Sequence, residues 1–283
     1  MEKLKADLHM HTSYSDGVLS PSELVTKCHS RNLSVISITD HDSVEAFPEA
    51  CEQASAFNME VIPGVELSAT TSEREYHILG YFIDCKNQRL LDYLTFFRLE
   101  RLRRAERIVE KLNNLNIPLK FDAVLEKAKQ GAIGRPHIAM ALVDEGFISS
   151  YQEAFEKYIG NSCPAYEKKF VMSPEQTIQL IASAGGISVL AHPGRSTNSE
   201  MLQSIISAGI DGIEVIHPSH PPELTKNYQD IASQYFLISS GGSDYHGGKR
   251  NDDMSLGRFC IELTLVDAMK KRLFSHKTEN KSQ

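Results

Sequence analysis

The chain has 283 residues, 41% hydrophobic and 24% charged, with a net charge of −7, enough for one large α/β domain or for a domain carrying an insertion. No apolar run approaches the roughly 18 residues needed to cross a bilayer, the N-terminus lacks the apolar core of a signal peptide, and the acidic balance disfavours stable binding to duplex DNA. The five cysteines (Cys28, Cys51, Cys85, Cys163 and Cys260) form no CxxC pair, which speaks against a cysteine-type zinc site and for a reducing cytoplasm. A bound divalent metal would still admit an anionic substrate.

The first apolar-led run, Leu4–Leu8, reads as a strand that breaks into His9-Met10-His11. Alternate residues of an extended chain face the same way, so the two imidazoles share a side. The turn Tyr14-Ser15-Asp16-Gly17 returns a carboxylate toward the same end. Two imidazoles and a carboxylate at one strand tip can hold a divalent cation. A helix is predicted over 21–31, with Ser20 as N-cap and Pro21 in its first turn. A β-rich run at 34–39 ends in Asp40-His41-Asp42, and 43–58 is helical in pattern. Residues 60–67 form a third strand with Glu66 near its end, and 76–82 a fourth that contains His77. Short apolar strands alternating with helices predict a parallel sheet covered by helices.

The alternation stops between about Asn87 and Phe170. Leu90–Leu115 carries apolar residues at helical spacing, and shorter helices are predicted at 122–129, 137–145 and 150–159. The span reads as a helical insertion domain, 87–170, within a sheet domain formed by 1–86 and 171–283. On the long helix, Arg98, Arg101, Arg104 and Lys111 share roughly one face. With Glu100, Glu106 and Glu110 interleaved, they read as a solvated charged surface.

The alternation then resumes. A helix at 174–184 precedes a strand at 187–191 that runs into His192-Pro193-Gly194-Arg195. A helix at 199–208 precedes a strand at 212–216 that runs into His217-Pro218-Ser219-His220. A helix at 224–234 precedes a strand at 236–240, followed by Gly241-Gly242-Ser243-Asp244-Tyr245-His246. The charged residues 270–283 read as a frayed tail, and His29 and His276 as ordinary surface residues. Seven strand candidates thus end at or near a His, Asp or Glu. Parallel α/β sheets and barrels carry their active sites at the carboxyl ends of strands. His9, His11, His41, His77, His192, His217 and His246 are therefore expected to serve metal or substrate.

The segments DLHMHTSYSDG, ITDHD, PGVELS, YHILGY, LAHPGR and GSDYH resemble the PHP (polymerase and histidinol phosphatase) family, in order and in both halves of the sheet domain. The resemblance implies a distorted seven-stranded (β/α) barrel with up to three divalent metals. Position by position, it implies that His9, His11, Glu66 and Asp244 hold one metal. Glu66 would bridge to a second held by His77 and His192, and Asp16, His41 and His246 would hold a third. The nitrogen and oxygen ligands suit Mn²⁺, Zn²⁺ or Fe²⁺, and the resemblance favours Mn²⁺. The expected reaction is hydrolysis of a phosphate ester by metal-bound hydroxide, on metals about 3.5–4 Å apart. The third metal would grip a phosphate oxygen. Glu66, His192, Asp244 and His217 are the catalytic candidates.

Outside the metal set, Arg135 and His137 of the insertion, Arg195, His217 and His220 are the candidates for binding substrate, since a guanidinium takes phosphate in a bidentate grip. GRPHIA together with HPGR further resembles the PHP subgroup that removes the 3′-phosphate from nucleoside 3′,5′-bisphosphates, some members of which trim short RNA from the 5′ end. Two other readings stand beside it. A histidinol-phosphate phosphatase would not explain the helical insertion, and a non-catalytic PHP module would not explain nine intact ligand positions.

Overall fold

The computed structural model describes residues 4–71, 74–128, 133–170, 172–248 and 252–279. The chain divides into two compact units, Met1–Leu91 with Val171–Gln283, and Asp92–Phe170. The strands are β1 (Lys5–Asp7), β2 (Leu33–Ile38), β3 (Glu60–Thr70), β4 (Glu75–Tyr81), β5 (Ile187–Leu190), β6 (Gly212–Ile216), β7 (Ile238–Gly241) and β8 (Ile261–Glu262). The α-helices among the described residues are α1 (Pro21–Ser30), α2 (Phe47–Ser55), α3 (Gln88–Asn114), α4 (Phe121–Ala128), α5 (Arg135–Asp144), α6 (Tyr151–Ala154), which continues as a π-helix over Phe155–Ile159, α7 (Pro174–Ser183), α8 (Ser199–Ser207), α9 (Pro222–Gln234) and α10 (Leu263–Glu279). No helix among the described residues is long and apolar enough to cross a membrane.

In the first unit the eight strands lie in one sheet, in the order β7-β6-β5-β4-β3-β2-β1-β8. Its two sides approach each other. The Leu8 amide donates to the Gly241 carbonyl at 3.2 Å, and the His11 amide to the Tyr245 carbonyl at 2.9 Å. The sheet therefore rolls into a distorted, nearly closed barrel. The strand beyond the seven expected is β8, a two-residue piece antiparallel to β1; it is too short to show any period in the sequence.

The expectation of a parallel sheet is corrected at β4. That strand runs antiparallel to both β3 and β5, whereas β1, β2 and β3 pair in parallel, as do β5, β6 and β7. β3 ends at Thr70 and β4 begins at Glu75, and a parallel crossover needs a dozen or more residues. The reversal places the N-terminal half of β4, with His77 paired to Ser68, at the same end as the carboxyl ends of its neighbours.

Alternate strand residues feed two cores. Ala6, Leu8, Val35, Ile62, Leu79, Tyr81, Ile187 and Val189 form one cluster with Val266 and Met269 of α10. Since these residues come from strands around the sheet, they fill its interior. Ile36 and Ile38 turn the other way and pack with Leu24, Val25 and Ala50 of the covering helices. α1 starts where expected, because the Glu23 amide donates to Ser20 Oγ and the Ser20 amide to Glu23 Oε2, a reciprocal cap. α10 continues through residues 270–279, where the sequence predicts a frayed tail; burial of Val266 and Met269 anchors its start.

The second unit has no strand among its described residues. Ile108, Leu112, Leu119, Val124, Ile138 and Leu142 form its core. The expected solvated face of α3 is corrected in part. Arg104 is buried and its Nε donates to the Glu167 carbonyl at 2.9 Å, Lys111 Nζ donates to the Tyr166 carbonyl at 2.7 Å, and the Arg101 guanidinium lies over the Phe97 ring. Arg104 and Lys111 fasten the segment that returns along the helix, satisfying carbonyls that no strand or helix uses, whereas Arg101 stacks within its own helix.

Candidate metal centre

The strand ends converge on Glu66, a carboxylate 1% exposed near the middle of β3. His9 and His11 follow β1 in extended backbone, and their rings lie 5.3 Å apart. Gly242 lets the end of β7 come against them, since any side chain there would collide with the His9 backbone. Both oxygens of Glu66 face imidazoles. Oε2 lies 3.2 Å from His9 Nε2, 3.2 Å from His11 Nε2 and 3.4 Å from His41 Nδ1. Oε1 lies 2.8 Å from His77 Nδ1 and 3.1 Å from His192 Nε2.

Asp244, after β7, forms the second focus. Its Oδ1 lies 3.4 Å from His9 Nε2 and 3.2 Å from His11 Nε2, and its Oδ2 lies 3.5 Å from His217 Nε2. Asp16 forms the third, with Oδ1 3.3 Å from His246 Nε2 and 3.8 Å from His11 Nδ1. Groups whose ligand atoms lie within 4.8 Å of one another are His11, Asp16, His41 and His246; His9, His11 and Asp244; His9, Glu66 and His192; His41, Glu66 and His77; and His9, Glu214 and His217. The structure thus brings the nine expected ligands together at one end of the barrel. It differs from the expected grouping in that His11 also lies beside Asp16, His41 and His246, and that Glu214 and His217 join His9.

A cluster so rich in lone pairs fits divalent cations, as an independent feature shows. Buried ring nitrogens at His11 (both), His77 Nδ1, His217 Nε2 and His246 Nε2 make no hydrogen bond, although carboxylates stand nearby. Orphaned buried polar atoms are rare in packed protein. Elsewhere the hydrogen bonds assign tautomers that aim a bare nitrogen inward. His9 Nδ1 lies 3.1 Å from Glu214 Oε1, and His246 Nδ1 lies 2.8 Å from the Asp244 carbonyl. In each ring the proton belongs on Nδ1, which leaves Nε2 a lone pair for a metal.

The charges are tightly coupled. Burial would raise Glu66, but the surrounding imidazoles, His41, His77 and His9 first, hold it well below the usual carboxylate range. Asp244 is likewise held low against its burial by His9, His11 and His217. Burial works against charge on His11 and His77, yet the carboxylates lift His11 to about 10 and His77 to about 9. Burial, reinforced by His11 and His77, pushes His41 down to about 3. Carboxylates that stay ionised beside the protonated rings of His11 and His77 suit a site in which cations would exchange for protons.

Residues absent from the expected set complete the frame. Glu214 is fully buried within β6; a single carboxylate inside the apolar run Gly212-Ile213-Glu214-Val215-Ile216 was the signal for it. Asp40 accepts from the Thr12 amide at 2.7 Å and from the Thr12 and Ser15 hydroxyls. Asp252 accepts from the His246 amide.

The substrate candidates fall in different places. His217 is 6% exposed and its Nδ1 accepts from the Ser219 amide at 3.1 Å, so its proton sits on Nε2, facing Asp244. Both nitrogens of His220 bond to backbone, at Val215 and Gly194. Arg195 is exposed and pairs at 3.4 Å with Glu223. Arg135 and His137 belong to the helical unit, where Arg135 Nη1 donates to the Ile159 carbonyl and to Asn161 Oδ1 and His137 Nδ1 accepts from the Gly134 amide.

Comparison with known proteins agrees with this geometry. Residues 7–160 match the family model described as PHP domain. The chain is 34% identical over 247 residues to the 5′-3′ exoribonuclease Rnm of Salmonella typhimurium, covering 85% of this chain and 84% of the relative. It is 32% identical over 246 residues to a 3′,5′-nucleoside bisphosphate phosphatase of Chromobacterium violaceum, covering 85% and 86%. Its fold is similar to that of a Bifidobacterium adolescentis protein assigned as a metal-dependent phosphoesterase, with a TM-score of 0.79, 32% identity, and 94% and 96% of the two chains covered. The chain belongs to the PHP family of metal-dependent phosphoesterases.

Proposed function

We propose that this phosphoesterase removes the 3′-phosphate from nucleoside 3′,5′-bisphosphates and also trims short RNA from its 5′ end. The observation that carries the reading is the buried Glu66, whose two oxygens face five imidazoles; the names of the two relatives support the substrate class. Three divalent ions, Mn²⁺ by preference, would be held by His9, His11, Glu66 and Asp244, by Glu66, His77 and His192, and by Asp16, His41 and His246. Such ions supply Lewis acidity toward a phosphoryl group and acidify a water to near neutrality.

The chain's own groups do the rest. Glu66 spans two ligand sets and keeps them in register. Asp244, ionised beside His9 and His11, adds the negative charge that a cation requires. His217 presents Nε2–H beside Asp244 and donates to a phosphoryl or leaving-group oxygen. Arg135, His137 and Arg195 would take the phosphate that is not hydrolysed, where a bidentate guanidinium matches two oxygens. Five free cysteines support a cytoplasmic setting.

The test is phosphate release from Mn²⁺-loaded protein on a panel of nucleoside 3′,5′-bisphosphate, the matching 5′-monophosphate, histidinol phosphate and a short 5′-phosphorylated RNA. The reading expects bisphosphate and RNA to be turned over with the highest kcat/KM. Preference for histidinol phosphate would overturn it.

A further inference from the structure

His192 has an unusual backbone. Its φ is 26°, in the left-handed region that non-glycine residues avoid. It also precedes Pro193, a position that favours extended backbone. Strain of this kind persists only where the surroundings over-determine it. Here it lets the chain leave β5 and still aim the imidazole back at Glu66 Oε1, at 3.1 Å.

Three buried side chains from one stretch of sequence, β6 through α9, grip this loop. Glu214 Oε2 accepts from the His192 amide at 2.7 Å, while its Oε1 lies on His9 Nδ1. His220 Nε2 accepts from the Gly194 amide at 3.2 Å, and its Nδ1 lies 3.0 Å from the Val215 carbonyl. The two bonds assign one neutral tautomer and engage both ring nitrogens. The Tyr228 hydroxyl donates to the Gly194 carbonyl at 2.7 Å, and its ring contacts that of His220. Both backbone groups of Gly194, itself at φ 62°, are thus held by side chains. Glu214, His220 and Tyr228 are 0%, 5% and 2% exposed.

We propose that Glu214, His220 and Tyr228 are positioning residues that hold the His192–Gly194 backbone in its left-handed course, so that His192 stands ready as a metal ligand. His220 then acts through His192 and does not bind substrate. Glu214, with each oxygen engaged by a different ligand residue, orients His9 and His192 and is not itself a ligand. The idea rests on the reading of His192 as a ligand, and the experiment separates the two.

Mn²⁺ titration of chelator-treated protein by calorimetry is run on the wild type, His192→Ala, His220→Ala, His220→Gln, Tyr228→Phe and the double variant His192→Ala/His220→Ala. Removing a group that orients a ligand lowers metal affinity by about 10- to 100-fold. His220→Ala and Tyr228→Phe should weaken one Mn²⁺ site by amounts in that range, with kcat falling and KM little changed. His220→Gln, which offers one acceptor and one donor, should recover most of the loss. The double variant should bind no worse than His192→Ala alone, because coupled residues are non-additive. If His192→Ala leaves Mn²⁺ binding intact, the ligand reading fails. If His192→Ala loses a site while Tyr228→Phe binds as wild type and His220→Ala either does the same or adds its loss independently of His192→Ala, the positioning proposal is overturned. Should His220→Ala fail to fold, Tyr228→Phe alone decides by the same affinity readout.

Discussion

The barrel unit and the helical unit bury polar groups for opposite purposes. At the barrel's strand ends, carboxylates and imidazoles lie beside one another with ring nitrogens that bond to nothing. In the helical unit, the buried Arg104 donates to the backbone of the returning segment, and no potential metal group lies among its described residues. An uncompensated buried charge is costly, so the barrel tolerates its cluster only with protons or cations present. The helical unit draws its stability from apolar packing. Substitutions in the first should therefore move metal binding and turnover, and in the second the folding free energy.

The largest effect expected is at the barrel's centre. Glu66→Gln removes the negative charge between two ligand sets, and kcat/KM should fall by about a thousandfold or more, equivalent to roughly 4 kcal/mol. Metal content should fall too, while circular dichroism stays close to wild type. Wild-type activity would show that Glu66 holds no catalytic metal.

The counterpart in the helical unit is Ile138→Ala. Ile138 is fully buried in that unit's core, and deleting such a side chain destabilises by about 2–5 kcal/mol. Denaturant unfolding should record the loss, and Mn²⁺ stoichiometry measured below the transition should not change. A loss of metal would show that the two units do not divide the work as described.

Much of this division is legible in the sequence, and the exceptions have identifiable causes. His9-Met10-His11 and Asp244 announce themselves because strand termini are read easily and histidines clustered there are improbable by chance, and Glu66 because the strand pattern in the sequence stops at residue 67, short of the strand's end at Thr70. Glu214 escapes notice because it sits inside a strand, where a residue is normally read as packing. The direction of β4 depends on the short Thr70–Glu75 connection, which carries more information than the βαβ rhythm around it. The charged face of α3 looks solvated because its partners are carbonyls at 166 and 167, and backbone acceptors leave no mark in a sequence. Residues 270–279 look frayed because they are charged, whereas the helix that runs through them is anchored before them, at the buried Val266 and Met269.

Arg135 carries the next effect, on the proposal that its guanidinium takes the phosphate that is not hydrolysed. Arg135→Ala should lower kcat/KM for a nucleoside 3′,5′-bisphosphate by about ten- to a hundredfold, the equivalent of roughly 1.5–3 kcal/mol for a charge-assisted bond. Hydrolysis of an aryl monophosphate should barely change. Equal loss on both substrates would assign Arg135 to its bonds with Ile159 and Asn161.

The smallest effect is on pH dependence. In the metal-free protein His11 is lifted to about 10 and His77 to about 9, so both carry protons at neutral pH. A cation needs the neutral rings and must displace those protons. Mn²⁺ affinity should therefore rise as pH increases from about 6 to about 8, with proton release visible as a buffer-dependent heat. A flat profile would mean that the carboxylates do not protonate these rings.

The most direct measurement is metal analysis of the purified protein coupled to phosphate release from a nucleoside 3′,5′-bisphosphate, before chelation, after it, and after Mn²⁺ is returned. Metal should be present in the protein as purified, turnover should be lost with its removal, and activity should recover as Mn²⁺ refills about three sites per chain, the number that the three ligand sets can hold. Chelated protein that is free of metal and still releases phosphate at the original rate would contradict this dependence on metal.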